Sequence, residues 1–267
     1  MNVYLIQINL TSFQRNICYR IKELLKILKY KTLKNSLILK YPLLFLLSVF
    51  LFSCSVLKKY PVKDRAWAFP EIEAFEKLDL QINYPDEAIL FIGSSSIRLW
   101  KTLKDDMAPY NVIQRGYGGA NFRDIIYFTE RILADHNLKM LVCFVANDIS
   151  GSPDDESPRK VLRLFKYFVN QVRIKHPDIP IMQISITPTK SRWRHWKKIK
   201  RINDLMQAYC EKTNNLYYIN TVTKFLNEEG KPKAEWFISD QLHLNKTGYA
   251  EWNKIIRIAI EEQISIP

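Results

Sequence analysis

The chain has 267 residues, with 40 Lys and Arg against 27 Asp and Glu and a formal charge of +13. At 47% hydrophobic and 13% aromatic residues it can bury a sizeable core, which excludes an intrinsically disordered or low-complexity polymer. No unit of roughly 20–50 residues recurs, which excludes solenoids and propellers, and the cysteines at 18, 54, 143 and 210 form no CxxC, so neither a zinc cluster nor a disulfide scaffold is indicated.

Residues 1–53 hold eight Lys and Arg and one acid, Glu23, a net +7 that leaves +6 for the rest. About half of the net charge therefore sits in one terminal segment, and +13 is no signature of nucleic-acid binding. Leu43 to Ser53 (LLFLLSVFLFS) carries no charge. The run is short of the ~20 residues of a membrane-spanning helix but suits the apolar core of a secretory signal, about 7–15 residues behind a basic region. It ends in Leu51-Phe52-Ser53-Cys54-Ser55, which resembles a bacterial lipoprotein box, with Cys54 as the lipidated first residue of the mature chain. The alternative makes Cys54 a small apolar residue of a signal anchor. Residues 1–54 are thus expected to be a basic segment and lipoprotein-type signal. The protein is then exported and held on the periplasmic or outer face of a bacterial envelope.

Residues 55–86 contain Pro61, Pro70 and Pro85 and a short helical pattern over Glu71–Asp79, a tether and lead-in helix. From residue 87 to 267 the chain alternates. Apolar runs of strand length cover Ala88–Gly93, Val112–Arg115, Lys139–Ala146, Ile179–Ile186 and Leu216–Thr221. Helical patterns fall between and after them, over Asn121–His136, Ser157–Ile174, Trp193–Lys212 and Lys246–Gln263. Unbroken apolar strands separated by helices predict a parallel sheet covered on both faces, a doubly wound, three-layer α/β/α domain of five strands. Functional residues of such domains collect beyond the carboxyl ends of the strands.

Gly93-Ser94-Ser95-Ser96 follows the first strand. A serine in a tight strand-to-helix turn presents its hydroxyl above the sheet, close to helix amides that favour negative charge; three serines capping a helix are the plainer reading. The second strand leads into Gly116-Tyr117-Gly118-Gly119-Ala120-Asn121, which with Gly93 uses four of the 7 glycines. Such sparing use suggests close backbone approach or positive φ. GxGxxG fails at Asn121, leaving a tight turn or an exposed amide aimed at a ligand. Asn147-Asp148 follows the third strand, and Asn147 can offer an amide to an oxyanion or begin a turn. Near the C-terminus, Asp240 and His243 stand at a spacing that shares one face of a helical turn. Of the 4 histidines, His243 alone has a carboxylate so placed.

Taken together, Ser, Gly, Asn and Asp-x-x-His at successive strand ends resemble the SGNH (GDSL-type) hydrolase family. The resemblance spans about Trp67 to Ile264 and rests on IGSSSIRLW and DQLHLNKTGYAEW. It is strongest to bacterial members with GSSS in place of GDS. It implies a flavodoxin-like fold and ester hydrolysis without a cofactor. The nucleophile falls on Ser95, the oxyanion donors on the Ser95 and Gly119 amides and the Asn147 side chain, and the acid and base on Asp240 and His243. Two positions depart from the family pattern. Ser94 replaces the usual Asp, and Val145-Ala146 replaces a glycine-containing run before the Asn.

The run Lys190–Arg201 (KSRWRHWKKIKR) holds seven bases and no acid. It is either a rim for an anionic substrate or lipid surface, or a solvated helix start with Trp193 and Trp196 turned inward. No nucleic-acid motif is present, and no such partner is expected. The expected partners are an acyl-ester substrate, an acetylated carbohydrate or a lipid-like ester, and the membrane reached through the N-terminal segment. Cys143 and Cys210 are expected to be buried thiols, with a disulfide between them as the alternative. The competing function class is a non-catalytic envelope lipoprotein that uses the same shell to bind glycan or other envelope components.

Overall fold

The structure, a computed structural model, describes residues 62–264. The signal segment and Cys54 lie outside the described residues. A 3-10 segment over Val62–Ala68 opens directly into α1 (Phe69–Gln81), with Pro70 in its first turn. The chain then runs β1 (Ala88–Gly93), α2 (Ser95–Leu99), α3 (Leu103–Asp106), β2 (Val112–Gly116) and α4 (Phe122–Leu133). It continues through β3 (Leu138–Phe144), α5 (Pro158–Lys175), β4 (Ile181–Ile184), α6 (Trp196–Cys210), β5 (Leu216–Ile219) and α7 (Lys246–Ile264).

The five strands form one sheet in the order β2-β1-β3-β4-β5, every pairing parallel. Every residue of β1 and β4 is buried, as strands covered on both faces require. This is the doubly wound α/β/α fold expected from the pattern. Helix α4 turns Phe122, Ile125, Ile126, Thr129 and Leu133 inward at helical spacing, and α5 does the same with Val161, Leu164, Phe165, Phe168 and Val172. Ser157 caps α5 and Pro158 occupies its first position. On the other side Trp252 of α7 packs edge-on against Phe144 of β3, with ring centroids 4.7 Å apart. The order reverses at β1, whose successors β2 and β3 lie on either side of it, so a crevice opens at their carboxyl ends.

Three strands end earlier than their apolar runs suggest. β3 stops at Phe144, β4 at Ile184 and β5 at Ile219. Most of the residues just beyond stay buried, Asn220 excepted, and side-chain bonds join the regular ladder there. The Ser185 and Thr221 hydroxyls lie 2.8 Å apart, and the Thr221 amide donates to the Ser185 hydroxyl at 2.9 Å. Periodicity detects burial, and burial continues past the end of the ladder.

The lead-in helix is secured by ion pairs as well as by buried Ala68 and Ile72. Arg131 forks onto Glu76 at 2.6 and 2.7 Å. Arg115, almost fully buried, pairs with Asp79 and lies over the rings of Phe75 and Tyr84. Cys143 and Cys210 are buried free thiols, not a disulfide. Burial pushes both up, Cys210 to about 12. Trp193 and Trp196 stack on each other at 5.5 Å, and Trp196 packs on the core. No helix among the described residues is long and apolar enough to cross a membrane.

Removing Asp79 leaves a guanidinium in the core without its carboxylate. Asp79→Ala is expected to cost about 2–4 kcal/mol, the lower range for breaking a buried pair because Asp79 is partly wetted. A denaturant titration with unchanged slope and an earlier midpoint checks it.

Candidate active site

The first element of the site is the exit from β1. A Cβ on Gly93 would sit 2.0 Å from the Phe144 carbonyl oxygen, so only glycine lets β1 and β3 run this close. The Ser94 amide donates to that oxygen at 3.0 Å, and the Ser94 carbonyl accepts from Ile97 and Arg98 at 3.0 and 3.2 Å. The chain therefore turns within one residue, and Ser95 becomes the first residue of α2. With only five residues, α2 has little macrodipole, so its contribution to a negative charge rests on individual amides.

The second element is the β2-to-α4 turn. Gly119 has φ +74°, a conformation that residues with a Cβ rarely adopt. Asn121 then caps α4. Its Oδ1 accepts from the Arg123 and Asp124 amides at 2.9 and 3.2 Å, and Asp124 returns a carboxylate to the Asn121 amide at 3.2 Å. The end of β3 is tied to this cap. Asp148 accepts the Phe122 amide at 3.1 Å, and the Asn147 Nδ2 donates to the Ala120 carbonyl at 2.9 Å.

The third element is the segment before α7. Asp240 and His243 lie in a bent loop, not on the helical turn that their spacing suggests. What joins them is the carboxylate. Asp240 Oδ1 accepts the amides of Leu242 and His243, both at 2.9 Å, while Oδ2 lies 2.6 Å from His243 Nδ1. The positive φ of Gln241, 55°, lets the loop close on itself. Burial raises the Asp240 pKa, but these hydrogen bonds outweigh it and hold the carboxyl below its ordinary range. The other imidazole nitrogen, Nε2, is 2.9 Å from Ser95 Oγ. Asn245 anchors the loop by accepting the Gly248 amide at 3.0 Å and donating to the Glu235 carbonyl at 2.7 Å.

Ser95, Asn147 and His243 line one small cavity with Ile186, Thr187, Thr189, Arg192 and Leu242 among its walls. Asp240 reaches it through the imidazole. Gly119 is not part of this lining. It is an exposed residue one position before Ala120, whose carbonyl holds Asn147. Nδ1 of His243 is thus paired with a carboxylate and Nε2 with a hydroxyl, which allows a proton to leave Oγ while the growing imidazolium is balanced by Asp240.

Four contributors escaped the sequence reading. Arg192 was one of seven bases in a charged run, yet it points inward. Trp100, Tyr249 and Trp252 lie inside the quoted stretches and form an aromatic cluster beneath the site. Trp100 stacks on Tyr249 at 5.6 Å, and the Tyr249 hydroxyl donates to the Ser96 carbonyl at 2.8 Å. Only the proximity of such residues to the motifs hinted at their role.

Asp148 is fully buried, and burial raises its carboxyl from 3.8 to about 7 against the opposing Phe122 amide bond. A carboxyl with a raised folded pKa holds its proton in the native state while the unfolded chain has lost it. Stability then falls as pH rises from about 4 to 7. Between pH 5 and 8 this group should cost on the order of 2–3 kcal/mol. Melting curves at the two pH values should show a smaller decline for Asp148→Asn than for the parent chain.

Residues 93–251, more than half of the chain, match the family model of the GDSL-like lipase/acylhydrolase family. No curated protein matches the chain. Among solved structures it resembles a GDSL-like lipase from Bacteroides thetaiotaomicron at 17% identity and a TM-score of 0.63, covering 72% of this chain and 98% of that one. It also resembles the lipase/acylhydrolase from Enterococcus faecalis at 18% identity and a TM-score of 0.55, covering 66% and 96%. A carbohydrate esterase family 3 protein from Talaromyces cellulolyticus is similar at 13% identity and a TM-score of 0.52, covering 67% and 98%. At these identities the structural likeness speaks to the fold, whereas the family match covers both strand-end blocks that carry the site. The chain belongs to the GDSL-like lipase/acylhydrolase family.

Proposed function

We propose that the protein hydrolyses carboxylic esters through a Ser95-His243-Asp240 triad and an acyl-enzyme. The observation that carries this reading is the unbroken hydrogen-bonded line from Asp240 through the imidazole to Ser95 Oγ, at 2.6 and 2.9 Å. A serine hydroxyl is a weak nucleophile until a neighbouring base takes its proton. His243 Nε2 accepts that proton as Oγ bonds to the ester carbonyl carbon. The Asn147 side chain and the Ser95 amide, whose residues line the cavity, are the proposed donors to the tetrahedral oxyanion, with the Gly119 amide as a third from outside that lining. On collapse the carbon–alkoxy bond breaks, and the imidazolium gives its proton to the departing alkoxide. Water, deprotonated by the same nitrogen, then attacks the acyl carbon. The carboxylic acid leaves and Ser95 regains its proton.

The space beside Ser95 favours a small acyl group. The cavity has a volume of about 20 Å³, little more than the ~10–15 Å³ that admits one water. An acetyl methyl fits, and a long chain would have to turn out along the surface. The alcohol side of the substrate, carbohydrate or lipid-like, lies outside this restriction. The N-terminal signal with Cys54 as the lipidated residue belongs to the same proposal and places the hydrolase on the outer side of a bacterial membrane. Acyl groups on Cys54 in the membrane-extracted chain, read by mass spectrometry, are the expected result.

Ser95→Ala should lower turnover of a short-chain nitrophenyl ester by at least about 10³-fold with an unchanged melting temperature. Turnover close to that of the parent chain would rule out Ser95 as the nucleophile. In a series of esters from acetyl to octanoyl, kcat/KM should fall by at least about tenfold, roughly 1.4 kcal/mol.

A further inference from the structure

We propose that Arg192 is a positioning residue for the oxyanion site, holding the Asn147 carboxamide so that its second N–H faces the reacting carbonyl. This inference rests on the ester-hydrolase reading above. Arg192 comes from the basic run between β4 and α6, where charge pattern alone suggests a solvated surface. It is instead nine-tenths buried. Nη2 donates to Asn147 Oδ1 at 2.6 Å and Nη1 to the Ala146 carbonyl at 2.7 Å. Its own amide is bonded to the Thr189 hydroxyl at 3.3 Å. Among the described residues no carboxylate lies within ion-pair distance of the guanidinium. A buried cation whose hydrogen-bond acceptors are all neutral, with Asp155 acting on it only from beyond ion-pair distance, is an expensive arrangement unless its field and geometry are used.

The use follows from the hydrogen-bond inventory of an amide. A carboxamide can be rotated by half a turn with little change in shape. Here rotation would set Oδ1 against the Ala120 carbonyl, two acceptors 2.9 Å apart, and the NH2 group against guanidinium N–H donors. Both contacts would be repulsive, so one orientation is selected. In that orientation one Nδ2 hydrogen goes to Ala120 and the other remains for a ligand. The cation on Oδ1 also draws electron density from the amide, which makes the remaining N–H a stronger donor in a weakly polar site.

The test uses the whole chain and steady-state kinetics on a nitrophenyl ester. Arg192→Met is expected to lower kcat by about 10–100-fold with KM changed less than about threefold, up to the loss typical of one oxyanion donor. Arg192→Lys, which can still donate to Oδ1, should recover part of it. In an Asn147→Ala background Arg192→Met should cost no more than about a further twofold, since the group it orients is gone. An equal loss in both backgrounds, or kcat within twofold of the parent, overturns the proposal. A second readout needs no turnover. The Asn147 side-chain amide signals, identified by their absence in Asn147→Ala, should shift or broaden in Arg192→Met in nitrogen-resolved NMR spectra. Unchanged signals would also overturn it. A parent chain inert to every ester would count against the hydrolase reading alone, with the NMR arm still deciding Arg192.

Discussion

The 2.9 Å contact between Ser95 Oγ and His243 Nε2 is the constraint that the rest of the molecule serves. The two residues are 148 positions apart: the serine follows β1, one strand in from the β2 edge of the sheet, and the histidine sits on a loop ahead of the last helix. No local propensity brings them together. Tertiary packing does, through the aromatic cluster of Trp100, Tyr249 and Trp252. Because aromatic rings bury large areas in defined geometries, the cluster fixes α7 against the turn that carries Ser95. The Tyr249 hydroxyl adds a directional bond to the Ser96 carbonyl. Any slip of α7 along the sheet would cost this packing as well as the contact between His243 and Ser95.

The opposite wall of the site is organised by polar ties. Asn121 caps α4, Asp148 reaches its first amide, and Asn147 bonds the carbonyl of Ala120. The last two bonds join the end of β3 to the turn after β2, the two segments that hold the proposed oxyanion donors. Arg192 joins a third strand connection to the same point. The site is therefore densely hydrogen-bonded around Asn147 and more exposed where Asp240 meets solvent. Exposed and hydrogen-bonded, Asp240 remains a carboxylate that orients the imidazole. Buried Asp148, the residue after Asn147, is pushed toward neutrality instead.

Much of this could be read before folding because it depends on short-range rules. The apolar runs, the helical spacing of α4 and α5, the scarcity of glycine and the two blocks IGSSSIRLW and DQLHLNKTGYAEW together point to a parallel α/β sheet with Ser95, Asn147, Asp240 and His243 at its strand ends. Where local rules were pushed further they failed in instructive ways. A three-residue spacing implied a helical turn for Asp240 and His243, but two backbone amides on the carboxylate do the work that helix geometry was expected to do. Burial beyond the last ladder bond lengthened three strands.

By itself, then, the order of residues determined which candidate reacting groups the chain carries and at which end of a sheet they stand, since both follow from patterns a few residues long. Only the tertiary structure decided which groups touch. It turned one arginine of a charged run inward onto Asn147, left Gly119 exposed and outside the cavity lining, and sized the space beside Ser95. These outcomes depend on distances between segments far apart in the chain, and such distances are set by how whole layers pack, not by any local preference.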